Sequence, residues 1–155
     1  MLKFHNYDIV FQEIPDETTL ALNISGCPNH CPSCHSPHLQ ADEGTPLTTE
    51  NLDLLLRQYE GLITCLCFMG GDAEPEMVNR FAAYIRSAYP TLKTGWYSGA
   101  EKISEAIDMS NFDYIKIGPY IESCGSLKSK TTNQRLYHIL PSGKLDDITS
   151  RFWRT

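Results

Sequence analysis

Apolar and polar positions along this chain alternate between a period of two and a period near 3.6, and the alternation divides it into short elements. Thr18-Thr19-Leu20-Ala21-Leu22-Asn23-Ile24 has strand-like residues and stops at Ser25-Gly26. A helix is predicted next, with Thr48 or Thr49 as N-cap, Glu50 in the first turn, Leu52, Leu55, Leu56 and Tyr59 at helical spacing, and Gly61 closing it. Leu62 to Met69 is a continuous apolar run of strand length, as expected for a strand covered on both faces, and it ends at Gly70-Gly71-Asp72. Pro75 opens a second helix, whose stripe of Met77, Val78, Phe81, Ala82, Ile85 and Ala88 runs up to Pro90. Leu92 to Tyr97 reads as a further core strand ending at Ser98-Gly99. A third helix is expected from Ala100 to about Met109, carrying Ile103, Ala106 and Ile107, and a fourth strand from Tyr114 to Ile117 halts at Gly118-Pro119. Two last runs, Arg135 to Leu140 and Lys144 to Ile148, are split by Pro141-Ser142-Gly143. They predict a hairpin, with the second arm equally open to a C-terminal helix.

Strands alternating with helices across short loops imply βαβ units and a parallel sheet. Four such units cannot close an eight-stranded barrel, which needs at least ~200 residues. The expected fold class is therefore α/β, an open partial (βα) barrel of about four βα units with parallel strands. No repeat or linker interrupts the pattern, so residues 1–155 are expected to form a single domain. Ligands of such sheets collect at the C-terminal ends of the strands. There the sequence places the loop after Ile24, Gly70-Gly71-Asp72, Ser98-Gly99 and Gly118-Pro119.

Composition narrows the function classes. Hydrophobic content of 41% and charged content of 21% suit a globular protein, and a formal net charge of -6 without a Lys/Arg cluster argues against a nucleic-acid surface. The longest apolar run falls far short of the ~20 residues that cross a bilayer. Met1-Leu2-Lys3-Phe4-His5-Asn6 has no secretory signal core, so a cytoplasmic location and reduced thiols are expected. Cys65 and Cys67, two apart in a strand run, share one face and read as small buried hydrophobes. Cys124 is assigned no role.

The chemistry is concentrated in Gly26-Cys27-Pro28-Asn29-His30-Cys31-Pro32-Ser33-Cys34, where three cysteines follow the spacing Cys-x3-Cys-x2-Cys. A structural zinc takes four protein ligands, and an electron-transfer 4Fe-4S cluster normally takes four cysteines. Three thiolates would leave one iron open to an exogenous ligand. His30, His35 and His38 lie in or after the loop, so a Cys3His zinc knuckle, or thiols that bind no metal, also fit the triplet taken alone.

With Gly70-Gly71-Asp72 after the next strand, the triplet resembles the radical S-adenosylmethionine (SAM) superfamily. More closely, the strings CPNHCPSCHSP, FMGGDAEP, KIGPYIE and TTNQR are similar to the activating proteins of anaerobic ribonucleoside-triphosphate reductase, over about Thr18 to Arg135. The resemblance implies a 4Fe-4S cluster on Cys27, Cys31 and Cys34, and SAM chelated at the open iron. It further implies that Gly70, Gly71 and Asp72 cradle the methionine amino group, with Ser98, Gly99, Lys116 and Ser33 near the cofactor. Ser33 stands where the superfamily commonly has an aromatic residue, and Asp72 is one methylene shorter than the common Glu. By the same resemblance, no catalytic side chain is needed beyond cluster and SAM. The implied activity is removal of a hydrogen atom from one glycine of a large partner, the anaerobic ribonucleotide reductase, with a flavodoxin-like electron donor. Nucleic acid and membrane are not expected as partners. The alternatives are an activase of another glycyl radical enzyme, of the pyruvate formate-lyase type, and a non-catalytic zinc-binding module. Trp96 and Tyr97 are read as core packing, His30, His35 and His38 as loop residues that do not ligate, and Thr131-Thr132-Asn133-Gln134-Arg135 as a partner-facing or site-covering rim.

Overall fold

The computed structural model describes residues 2–25 and 44–153. Their strands form one sheet in the order β3-β1-β2-β4-β5-β6-β7-β8, where β1 is Lys3–Val10, β2 Thr19–Ile24, β3 Thr45–Pro46, β4 Cys65–Met69, β5 Lys93–Tyr97, β6 Tyr114–Ile117, β7 Arg135–Ile139 and β8 Leu145–Asp147. The four central strands β2, β4, β5 and β6 are parallel, and β1, β3, β7 and β8 join antiparallel at the two margins. The result is a mixed α/β sheet with a parallel centre.

Two α-helices, α1 (Thr49–Gln58) and α2 (Pro75–Ala88), occupy the predicted positions. The Thr48 hydroxyl caps α1 by accepting the Asn51 N–H at 3.1 Å, which satisfies one of the donors a helix start leaves open. Leu52, Leu55 and Leu56 of α1 pack with Val78, Phe81, Ala82 and Ile85 of α2 in one core cluster that also contains Leu20, Leu22, Ile24, Leu66, Phe68, Trp96 and Ile115 from the central strands. The other face is also covered. Cys65, Cys67, Tyr114 and Leu136 cluster with Ile14 from the β1–β2 connection, while Met69, Tyr97, Ile148 and Phe152 pack against them. Cover on both sides explains the unbroken apolar run in β4. Gly95 belongs to the same packing, because a methyl group there would come within 2.7 Å of the Ile14 side chain.

Several expectations need correction. Residues 100–109 do not form the expected helix between β5 and β6. The Ser104 hydroxyl takes the Ala106 N–H at 3.2 Å, Asn79 takes that of Asp108 at 2.8 Å, and Asp108 then caps a short 3-10 turn, Met109–Asn111. Local side-chain acceptors thus replace the helical ladder. About four βα units are therefore not present among the described residues; two α-helices are, and β6 is followed by a hairpin. The second arm of that hairpin is strand β8, and a 3-10 turn follows at Thr149–Trp153. The strand β1 has no counterpart in the expected pattern, and β4 begins at Cys65, three residues after the start of the apolar run.

At the N-terminal end of the parallel strands lies Glu17, only 6% exposed. Its carboxylate accepts hydrogen bonds from Thr64 Oγ1 at 2.7 Å, Lys93 Nζ at 2.8 Å and Tyr114 Oη at 2.7 Å, so one side chain joins the edges of β4, β5 and β6. Burial alone would raise this carboxyl, but the three donors outweigh it and hold it below the ordinary carboxylate range. A depressed folded-state value means that the stabilisation is complete above pH ~4.3, where a free glutamate is ionised, and is lost as the pH falls through the folded value. We expect Glu17→Ala to cost about 3 kcal/mol at neutral pH, and the gap from wild type to narrow in acid. Urea unfolding at several pH values measures both; a pH-independent difference would contradict the assignment.

Candidate functional site

The loops at the C-terminal ends of β4, β5 and β6 are tied together by a continuous set of hydrogen bonds. Leaving β4, the chain takes positive φ at Gly70 (105°) and Gly71 (93°), a region that residues with a Cβ rarely enter. The strand register brings this turn beside the end of β2. A Cβ on Gly70 would approach Ile24 O to 3.3 Å, and one on Gly71 would overlap the Val78 side chain at 2.7 Å. Trp96, 1% exposed, packs in the core and also donates its indole N–H to Gly70 O at 2.7 Å, while Gly70 N–H bonds Tyr97 O at 2.9 Å. The turn is thus fastened to β5 on both sides of its first glycine.

Asp72, half-buried, reaches across to the next loop. Its carboxylate accepts Ser98 Oγ–H at 2.5 Å and Gly99 N–H at 2.9 Å, and Ser98 Oγ in turn accepts Ala100 N–H at 3.0 Å. Ser98 is wholly buried. Bonds to an ionised acceptor contribute more than neutral ones, and here two donors converge on one carboxylate. Behind this pair stands Lys116 of β6, 7% exposed, on the sheet face opposite the helices. Its ammonium donates to Ser98 O at 3.1 Å and Gly118 O at 2.8 Å and lies 5.8 Å from the centre of the Tyr97 ring. Burial pushes the Tyr97 phenol well above its usual value, and the hydroxyl donates to Glu13 O.

Of the residues singled out in the sequence, Gly70, Gly71, Asp72, Ser98, Gly99 and Lys116 are therefore brought to one rim. Cys27, Cys31, Cys34 and Ser33 lie outside the described residues, as do His30, His35 and His38. The loop that carries them leaves β2 at Ile24-Ser25, and β2 is the hydrogen-bonded neighbour of β4, with Asn23 opposite Met69. Cys65, Cys67 and Cys124 are free thiols. Burial raises the pKa of Cys65 and Cys67, which keeps them protonated and unsuited to metal ligation. Among the described residues no group of three or more His, Cys, Asp or Glu side chains is arranged to hold a metal ion.

Within the segment Thr131 to Arg135, which the sequence offers as a rim without specific contacts, Gln134 is buried and its Nε2 donates to Gly118 O at 3.3 Å, while Asn133 Nδ2 donates to Pro119 O at 2.9 Å. The polar run Thr131 to Arg135 carried no signal of which carbonyls it would meet. Trp96, whose size predicts core packing, also bonds the turn through its indole N–H.

Residues 18–137 match the family model described as a 4Fe-4S single cluster domain. Neither the curated proteins nor the solved structures contain a match to the chain.

If Asp72 braces two loops, removing its carboxylate destabilises the protein whatever ligand it holds. We expect Asp72→Ala to lower the unfolding free energy by about 2 kcal/mol in urea, because two donors lose a charged acceptor. A change within about 0.5 kcal/mol, the usual range for surface substitutions, would contradict the bracing role.

Proposed function

The chain belongs to the 4Fe-4S single cluster domain family, and from that premise we propose that it is a radical SAM activase that generates a glycyl radical on anaerobic ribonucleoside-triphosphate reductase. One observation carries the reading. The cysteine loop and Gly70-Gly71-Asp72 follow the same ends of two adjacent parallel strands, β2 and β4, so the loop that would hold a cluster and the turn that would hold its ligand start side by side. In this reading the four parallel strands are the wall of an open partial barrel of the radical SAM type.

The residues present fit the groups required. Cys27, Cys31 and Cys34 supply three soft thiolates, the donor type that iron-sulfur clusters take, and leave the fourth iron to SAM. Gly70 and Gly71 allow a positive-φ turn packed against Ile24 and Val78 at the strand ends, and Asp72, which follows them, offers a carboxylate to an ammonium. Held by Cys27, Cys31 and Cys34, a cluster would supply the one-electron reduction of SAM, with a flavodoxin-like protein as electron donor, from which the hydrogen-abstracting chemistry would come. The contribution of the chain is placement. Asp72 would hold the amino-acid end of SAM while remaining bonded to Ser98 and Gly99, which fixes that end against a rim already in place. Ser98, Gly99, Lys116 and Ser33 would line the rest of the site. A glycine offers no side chain to block approach to its α-carbon, which suits a macromolecular substrate presented as a loop.

Anaerobic reconstitution with iron and sulfide, reduction, and electron paramagnetic resonance with and without SAM tests the reading. The expected outcome is a cluster signal that changes when SAM is added, and a glycyl radical signal when the anaerobic ribonucleotide reductase is also present. A radical formed on a pyruvate formate-lyase instead would move the target. Stoichiometric zinc, no acid-labile sulfide and no cleavage of SAM would reject the proposal.

A further inference from the structure

The segment Thr131-Thr132-Asn133-Gln134-Arg135 has the composition of an exposed polar loop, yet two of its members are buried: Thr132 is 4% exposed and Gln134 is 7%. Thr132 fixes the backbone of Gln134, its hydroxyl accepting the Gln134 N–H at 3.0 Å. The Gln134 amide then donates to Gly118 O, the same carbonyl that accepts the Lys116 ammonium at 2.8 Å. Lys116 also donates to Ser98 O, and Ser98 Oγ is bonded to Asp72. A chain of contacts therefore runs from Gln134 through Gly118, Lys116 and Ser98 to Asp72. Gly118 is shaped for it, since its φ is 104° and a Cβ there would come within 3.0 Å of the Gln134 backbone. Arg135, one residue on, is not in the chain; it is half-exposed and pairs with Asp147 of β8 at 3.7 Å.

We infer that Gln134 is a positioning residue for the SAM site, acting through Gly118 and Lys116 on the Ser98–Asp72 pair, and that the segment is the back wall of the site rather than a surface for the partner. This rests on the functional reading above. Two acceptor lone pairs on Gly118 O receive one donor each, and loss of the Gln134 donor removes the contact that, with Lys116, fixes this carbonyl. Lys116, which bridges that carbonyl to Ser98 O, then shifts with it. A site held to within fractions of an ångström by such outer contacts loses affinity when they are removed.

The test compares the reconstituted holoprotein with Gln134→Leu, which keeps bulk and removes the donor, and with Arg135→Ala, which alters the same segment outside the chain. Equilibrium binding of SAM is read first, and amide hydrogen exchange at Ser98, Gly99 and Gly118 second. The expected results for Gln134→Leu are about tenfold weaker SAM binding, the cost of one hydrogen bond in this network, and faster exchange at those amides. Arg135→Ala should match wild type in both. Should Gln134→Leu fail to fold, Thr132→Val, which releases the Gln134 backbone, carries the same expectation. Unchanged binding in Gln134→Leu, or an equal loss in Arg135→Ala, would overturn the inference alone. A wild-type holoprotein that binds no SAM would overturn the functional reading and this inference with it.

Discussion

The carboxylate of Asp72 is the contact on which the rim of this protein depends. It joins the turn after β4 to the loop after β5 by two hydrogen bonds, and it meets Ser98 where Lys116 holds the carbonyl of the same residue. Without that link, the glycine turn would be attached to β5 by the Trp96 indole and one backbone bond. Glycines have a large conformational entropy to lose, so a Gly-Gly turn stays in one shape only when its surroundings over-determine it. Asp72 and Trp96 together provide that restraint.

The parallel strands are fastened by polar groups at both ends and by apolar packing between them. Glu17 gathers Thr64, Lys93 and Tyr114 at one end, while Asp72, Ser98 and Lys116 gather the loops at the other. Between these lie two apolar layers, the larger one facing α1 and α2 and the smaller one containing Cys65, Cys67 and Ile14. Buried ionised groups cost desolvation energy, which is offset only when their hydrogen-bonding capacity is met. Glu17 takes its donors from β5, β6 and the residue before β4, and Lys116 of β6 donates to carbonyls after β5 and after β6. Polar satisfaction therefore also specifies strand order, because a strand out of place would leave a buried charge with too few partners.

The sequence revealed the parallel centre because period and punctuation agree there. Leu52, Leu55 and Leu56 mark a helix face, Thr48 and Pro75 mark helix starts, and the glycine turns mark strand ends. It failed where side chains compete with the backbone. Residues 100–109 have apolar spacing suitable for a helix, but Ser104, Asn79 and Asp108 capture amides that a helix would need. β1 was invisible since Lys3–Val10 mixes charged, polar and aromatic residues, as an outer strand with much of its surface exposed does. At the rim, residue types were legible and their pairings were not. That Asp72 meets Ser98, and that Gln134 meets the carbonyl shared with Lys116, depends on contacts between residues 26 and 16 positions apart, respectively for Asp72–Ser98 and Gln134–Gly118. No local pattern encodes such pairs.

The account is tested most directly by a crystal structure of the protein grown without oxygen, with its cluster assembled and SAM bound. It predicts a cluster held by Cys27, Cys31 and Cys34, with the amino-acid end of SAM against Gly70-Gly71-Asp72 and the Asp72–Ser98 contact intact. A metal carrying four protein ligands, or SAM seated away from the ends of β2 and β4, would contradict it.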